Sequence, residues 1–229
     1  MLKTLQKIIC CSIALLQTAI IHAEDFSAAQ IISDARLNPL GNEITLNAQL
    51  RAGSVKVPFI LAVKDRSVSY TFENPDQSII LAMDGEVSRL SESLGADVKP
   101  VSLTRLSESV RGGLITYEDL SLGFLHWPDP KLLGEETVRT RRAWKIEISA
   151  PSASSQYAAV RVWVDKASSA LLRIEGYDSE GKLSKRLEVV SARKIDGCWM
   201  LKQMRVERID PSNRKTTGIT YLEVLGKAN

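Results

Sequence analysis

The sequence predicts a mainly β domain, and three observations lead to that prediction. Short segments rich in β-branched and aromatic residues recur along the chain between polar turns. Residues 157–207 contain several tight-turn signals, of which Asp196-Gly197 is the strongest two-residue hairpin signal. Strands and helices do not alternate in the order that parallel sheets require. Many short strands joined by tight turns therefore favour an antiparallel sandwich or barrel.

The first segment resembles a cleaved secretory signal over residues 1–23. Lys3 and Lys7 give the positive start, a short apolar core follows, and Ala23 is the small residue at the cut. The alternative is a membrane anchor, but the apolar run is short for a spanning helix and polar residues interrupt it. We expect a signal peptide over residues 1–23 and a single domain over residues 24–229.

The next part of the chain predicts one helix followed by strands. Residues 24–37 have helical spacing, and an Asn-Pro-Leu-Gly turn ends them. Residues 44–51 alternate between apolar and polar, as in a half-buried strand. Residues 55–63 are apolar on both faces, which predicts either a central strand or a strand whose second face contacts an apolar partner. Further strands follow, with Asp84-Gly85 as a second hairpin signal.

The middle of the chain predicts a loop over residues 91–100 and a helix over residues 116–126. Thr116 is the expected cap of that helix, and two acidic residues in its first turn complement the helix dipole. Residues 131–150 then predict two strands, and residues 157–207 predict four more in an antiparallel meander. A last strand lies near the C-terminus, which gives about ten strands and two helices in total.

Charge and chemistry argue against several function classes. The net charge is +3, and removing Lys3 and Lys7 leaves +1, with no block of like charge to bind nucleic acid. His22 would leave with the signal, so His126 would be the one histidine of the mature chain. Spaced metal ligands and a glycine-rich phosphate loop are missing from the sequence. We therefore expect neither an enzyme, a cofactor nor a metal.

Several motifs resemble one known family. The segments VRVWVDK, LLRIEGYD and IDGCWML occur in an order that is similar to the C-terminal half of LolA-like outer-membrane lipoprotein-sorting proteins. The segment YEDLSLGFLHWPDPKLLGEE is also similar to that family. The resemblance covers most of the chain after Tyr117. It implies a curved antiparallel sheet that forms an unclosed, half β-barrel, with a few helices covering its mouth.

The resemblance also implies a function. It predicts a monomeric periplasmic carrier or chaperone that binds the acyl chains of lipoproteins or free lipid for transfer towards the outer membrane. Membrane-bound donor and acceptor proteins are its expected partners. One alternative is a sensor of envelope stress that uses the same scaffold as a ligand-binding regulatory domain, and another is a structural β protein of the envelope with no ligand. A sensor usually needs a further domain, whereas a single domain is expected here, and this favours the carrier.

The expected lipid-binding cavity combines the apolar faces of several strands with a lid over residues 116–127. The alternatives are that the wall residues are ordinary core and that the lid is a permanently packed helix. The predicted cavity residues are Leu46, Leu50, Phe59, Leu61, Tyr70, Phe72, Leu120, Phe124, Trp127, Val162, Val164, Leu172 and Ile174.

Overall fold

The computed structural model describes residues 27–37, 43–84, 87–95 and 97–228. The predicted signal segment and Gly85 of the second hairpin signal lie outside these residues. Thirteen strands form one antiparallel sheet in the order β6-β5-β4-β3-β2-β1-β13-β12-β11-β10-β9-β8-β7. The sheet is not closed, because β6 and β7 are its two edges. The mainly β, half-barrel prediction is therefore confirmed.

The strands follow one another with short connections. Their bounds are β1 Ile44–Ala52, β2 Val55–Lys64, β3 Ser67–Phe72, β4 Gln77–Asp84, β5 Val87–Leu94, β6 Asp97–Pro100, β7 Lys131–Val138, β8 Arg141–Ser149, β9 Ala159–Asp165, β10 Leu171–Tyr177, β11 Leu183–Ile195, β12 Cys198–Ile209 and β13 Thr216–Lys227. The predicted four-strand meander corresponds to β9–β12. Asp196 and Gly197, which join β11 to β12, both have positive φ, at 50° and 83°. A type I′ hairpin turn requires positive φ at both positions.

Two α-helices and three 3₁₀ turns are described outside the sheet. The helices are α1 (Ala28–Leu37) and α2 (Tyr117–Ser121), and the 3₁₀ turns are Leu103–Arg105, Val110–Gly112 and Gly123–His126. The Ser27 hydroxyl accepts a hydrogen bond from the Gln30 backbone N–H at 3.1 Å, so Ser27 caps α1. None of the described helices is long and apolar enough to cross a membrane.

Two elements differ from the sequence-based predictions. The loop expected over residues 91–100 is wrong, because β5 and β6 pair there from Ser91↔Pro100 to Leu94↔Asp97. The serines in this segment led to the prediction of a loop, but serine is tolerated at solvent-facing positions of a strand. The single helix expected over residues 116–126 is interrupted, because Leu122 has a left-handed conformation with φ 48°. The chain continues from there as a separate 3₁₀ turn.

The sheet has an apolar inner face and a charged outer face. The main core lies on the inner face, under α1, α2 and the turns that precede and follow α2. On the outer face, five residues opposite one another on β8–β12 alternate in charge: Glu147, Arg161, Glu175, Arg186 and Glu207. Cross-strand pairs of opposite charge stabilise a sheet, and this ladder makes the outer face compatible with water.

Candidate functional site

The predicted cavity residues lie together on the inner face, with one exception. Nine of them are buried in one core cluster: Leu46, Leu50, Phe59, Phe72, Leu120, Phe124, Val162, Val164 and Ile174. Leu61, Tyr70 and Trp127 are partly buried and pack against the same cluster. Strand register explains the grouping, since Leu46 lies opposite Leu61 and Phe59 lies opposite Phe72. The inner face is therefore one continuous apolar surface.

Leu172 is the exception, and its assignment to the cavity wall needs correction. The pairing of β10 with β9 shifts between Leu171 and Arg173, so the period of two is broken at Leu172. Leu171 packs against the main core, whereas Leu172 packs against a small cluster containing Trp163. A bulge inserts one extra residue and reverses the alternation beyond it. Sequence alternation alone does not reveal such a shift.

Helix α2 covers part of this surface and is held by a buried ion pair. Asp119 accepts hydrogen bonds from Lys185 Nζ at 2.8 Å and from the Tyr157 hydroxyl at 2.6 Å. Thr116 and Asp119 also form a capping box, since each side chain accepts the other's backbone N–H. The side chain of Asp119 is 1% exposed and that of Lys185 is 10% exposed. Burial and the neighbouring Asp119 carboxylate raise the pKa of Tyr157 well above its usual value.

The Tyr157 ring reaches this position because Gly176 has no side chain. A Cβ at Gly176 would lie 2.2 Å from Cε1 of Tyr157, so the ring lies directly against the β10 backbone. Close approach of this kind is a common reason for a glycine inside a strand. The ring connects the β10 backbone to α2 through its hydroxyl group.

A second polar cluster holds the start of α2. Glu92 on β5 accepts hydrogen bonds from the Tyr117 hydroxyl, from Arg105 Nη1 at 2.7 Å and from Gln77 Nε2 at 2.5 Å. Burial opposes ionisation of Glu92, but these three donors outweigh it and lower the pKa of the carboxyl. Burial, reinforced by the bond to Glu92, raises the pKa of Tyr117 to about 12. Directional contacts therefore fix α2 through both Tyr117 and Asp119.

The turn that follows α2 contacts the core differently. Phe124 and Leu125 are 1% and 2% exposed and belong to the main core. The Phe124 and Trp127 rings meet edge to face, with centroids 6.3 Å apart. His126 lies near α1, with Nδ1 3.5 Å from Nη1 of Arg36. The segment that covers the inner face therefore has two halves. Polar contacts hold α2 in place, and residues 123–127 contact the core mainly through apolar groups.

Buried apolar side chains pack against one another across the described part of the inner face. A cavity of about 140 Å³ among the described residues is lined by Leu50, Ala52, Val55, Val57, Arg111, Gly112, Gly113 and Thr220. Typical small-molecule pockets enclose roughly 300–1,000 Å³. A long acyl chain therefore fits the inner face only if part of the cover moves.

The polar residues around α2 were missed by sequence analysis. Glu92, Tyr157 and Lys185 lie on separate elements, and each has an ordinary residue type for its strand or loop, whereas Gly176 inside a strand is a local signal of close approach. The YEDLS segment did predict a capped helix, but nothing local shows which partners its acids meet. Across the described ranges, no group of three His, Cys, Asp or Glu residues is placed to hold a metal ion.

The architecture is shared with several solved structures. A putative outer membrane lipoprotein-sorting protein domain from Vibrio parahaemolyticus matches with TM-score 0.67 and 18% identity, over 86% of this chain and 91% of that one. A LolA superfamily protein from Nitrosomonas europaea matches with TM-score 0.61 and 18% identity, over 89% and 94%. A DUF1329 family protein from Desulfovibrio piger matches with TM-score 0.64 and 20% identity, over 86% and 90%. The chain therefore has a LolA-superfamily fold.

The family follows from the sequence itself. Residues 96–224 match the model of a protein family that carries the description "Uncharacterized protein". Because the match covers more than half of the chain, the chain belongs to this family. No curated protein sequence matches the chain.

Proposed function

We propose that the protein is a periplasmic carrier that binds the acyl chains of lipoproteins or other lipids for transfer towards the outer membrane. The observation that carries this proposal is the continuous apolar inner face, covered by a segment that is not part of the sheet. The predicted signal over residues 1–23 supports export, and the LolA-superfamily fold supports a lipid ligand. The carrier works by binding alone, without catalysis or a cofactor.

Burial of the chain supplies the binding free energy. Each buried methylene contributes about 0.8 kcal/mol, so a chain of about fifteen methylenes contributes on the order of 12 kcal/mol before opposing terms. Ordering the chain and displacing the cover oppose this term. The part of the cover that moves is therefore the part with the smallest opposing free energy.

That part is the turn over residues 123–127. Releasing α2 would separate Asp119 from both Lys185 and the Tyr157 hydroxyl, and the loss of these buried hydrogen bonds opposes the motion. The 123–127 turn contacts the core largely through apolar groups, which an acyl chain replaces with equivalent contacts. Leu122 has a left-handed conformation and Gly123 follows it, so the two halves of the cover are joined at a natural pivot. We infer that α2 stays fixed while Phe124 swings outwards.

Quenching by a brominated fatty acid tests this proposal. Bromine quenches tryptophan fluorescence only at short range. Trp127 packs against the inner core, whereas Trp163 lies in the outer cluster. Trp144 also packs against the inner core, so we expect saturable quenching of the native protein that Trp127→Phe reduces and that Trp127→Phe combined with Trp144→Phe largely removes. The matched variant Trp163→Phe should leave the quenched component intact.

Two results would contradict the carrier. One is folded, lipid-free protein that shows no saturable quenching with any acylated probe. The other is quenching that disappears with Trp163→Phe and persists with Trp127→Phe, since this places the ligand on the outer face. Native mass spectrometry of protein taken from the periplasm supplies an independent measurement, because it detects a co-purifying lipid directly.

A further inference from the structure

The hairpin formed by β11 and β12 extends beyond its neighbours in the sheet. The two strands pair with each other as far as Ile195↔Cys198. Pairing of β12 with β13 stops at Gln203↔Glu223, and pairing of β11 with β10 stops at Arg173↔Glu188. Residues 190–202 therefore form a two-stranded arm, which we call the β11–β12 arm.

The two sides of this arm differ. Ile195 and Met200 share one side of the arm and pack against the main core, and Leu201, on the other side, also reaches that core nearer the body of the sheet. Lys194 and Trp199 are opposite each other and exposed, with the Lys194 ammonium 5.5 Å from the Trp199 ring centroid. Trp199 is 69% exposed, which makes it the most exposed large apolar side chain of the described residues. One side of the arm is thus anchored, and the other presents a tryptophan to solvent at its tip.

The arm as a whole carries a net positive charge. The arm carries Arg193, Lys194 and Lys202 against one acid, Asp196, which gives a net charge of +2. Asp196 is ion-paired with Lys227 at the end of β13, and including that lysine raises the local net charge to +3. Protein interfaces are depleted in lysine. Membrane interfaces favour tryptophan, and the aliphatic stems of lysine reach past the apolar boundary to the headgroups.

We propose that the β11–β12 arm binds the surface of an anionic membrane, with Trp199 inserted among the headgroups and the lysines on lipid phosphates. The arm docks the protein without occupying its inner face, because Trp199 and Lys194 at its tip are exposed to solvent. This surface goes beyond the proposed acyl-binding function and is independent of it. Membrane contact at the arm brings a carrier to the bilayer that supplies or receives its ligand.

Vesicle flotation tests the arm. The full protein is mixed with vesicles of phosphatidylcholine and phosphatidylglycerol, or of phosphatidylcholine alone, with no acylated probe. We expect partitioning onto the anionic vesicles that Trp199→Ala weakens at least tenfold. Lys194→Gln combined with Lys202→Gln should weaken it about 25-fold, since each charge near an anionic surface contributes about fivefold. Added salt should reduce binding of the native protein.

Two matched controls lie elsewhere on the surface. Leu103 is 67% exposed, and Leu103→Ala removes a similarly exposed apolar group. Lys56 is exposed on β2, and Lys56→Gln removes one exposed positive charge. Neither variant should change vesicle binding. All variants should keep the far-ultraviolet circular dichroism of the native protein.

Three outcomes would overturn the proposal. The native protein does not float with anionic vesicles, or it floats equally well after Trp199→Ala. The third outcome is that the native protein does not bind vesicles but sediments as a dimer, which Trp199→Ala dissociates. The arm would then be an interface between two copies of this chain. The Trp127 quenching experiment reports separately on acyl binding, so failure of either proposal is distinguishable from failure of the other.

Discussion

On the inner face of β8 and β9, Ile146 and Val162 are fully buried, whereas Glu147 and Arg161 form a 2.7 Å ion pair on the outer face of the same strands. The inner face needs a cover because contact between its apolar side chains and water is unfavourable. The outer face covers itself with its own long charged side chains, whose stems shield the sheet and whose heads remain hydrated. One sheet therefore folds without a second complete layer.

The polar groups on the two faces also differ in role. Inner-face polar groups such as Asp119 and Lys185 are buried, few and specific to α2. Outer-face ion pairs are more numerous, and the pair of Glu147 with Arg161 is about a third exposed. Buried pairs are strongly destabilising when one partner is removed, whereas exposed pairs contribute little. The comparison predicts a graded series of effects.

The largest effect is expected at the inner-face ion pair. Asp119→Ala leaves Lys185 and the Tyr157 hydroxyl without their acceptor, and we expect a loss of about 3–5 kcal/mol in the free energy of unfolding. Urea denaturation measures it. A loss below about 1 kcal/mol would mean that α2 is not held through Asp119, and the choice of the 123–127 turn as the moving part would fail with it.

The next effect concerns the close approach of Tyr157 to the β10 backbone. Gly176→Ala places a methyl group 2.2 Å from the ring, so the ring must shift and its bond to Asp119 is strained. We expect destabilisation by about 1–3 kcal/mol, the range of an overpacked core. Gly218→Ala is the matched control, because its Cβ would meet Leu114 at an ordinary 3.5 Å. Equal thermal midpoints for the two variants would exclude a tight Tyr157 contact.

Acid should weaken the outer face through Glu223. Hydrogen bonds from Arg51, Gln49 and Gln203 lower the pKa of Glu223 to about 2, against burial that opposes ionisation. A lowered pKa in the folded state gives stability that is complete above pH ~4.5 and is lost as the pH falls towards about 2. We expect this loss to be at most about 2 kcal/mol in the free energy of unfolding, because solvent screening at the partly exposed Arg51 weakens the interaction. Glu223→Gln should flatten this part of the stability–pH curve, and an unchanged curve would assign the acid sensitivity to other carboxyls.

The smallest effect is expected within the charge ladder. Glu147→Gln removes one end of the row of alternating charges, and its partner Arg161 remains in contact with Tyr177. We expect a loss of less than about 1 kcal/mol that salt diminishes further. Double-mutant analysis with Arg161→Gln measures the pair. A coupling above about 2 kcal/mol would show that the outer face acts as a cooperative network and does not merely keep the sheet hydrated.

Local patterns in the sequence are enough to specify the β class, the meander and most of the inner face. Period-two alternation is a local property, so it assigns Leu46 and Val162 to the apolar faces of their strands without knowledge of their neighbours in space. The Asp196-Gly197 turn is equally local, since its residue types favour positive φ. The class of the fold follows from the number and spacing of these short strands.

Contacts between distant elements depend on the folded chain. The bulge at Leu172 arises from pairing with β9, so alternation along β10 alone assigns that residue to the wrong face. Fixing α2 requires Asp119 to meet Lys185, 66 residues away. Exposure of Trp199 depends on where the β10 and β13 pairings stop. In each case the deciding quantity is proximity in space, which local periodicity does not contain.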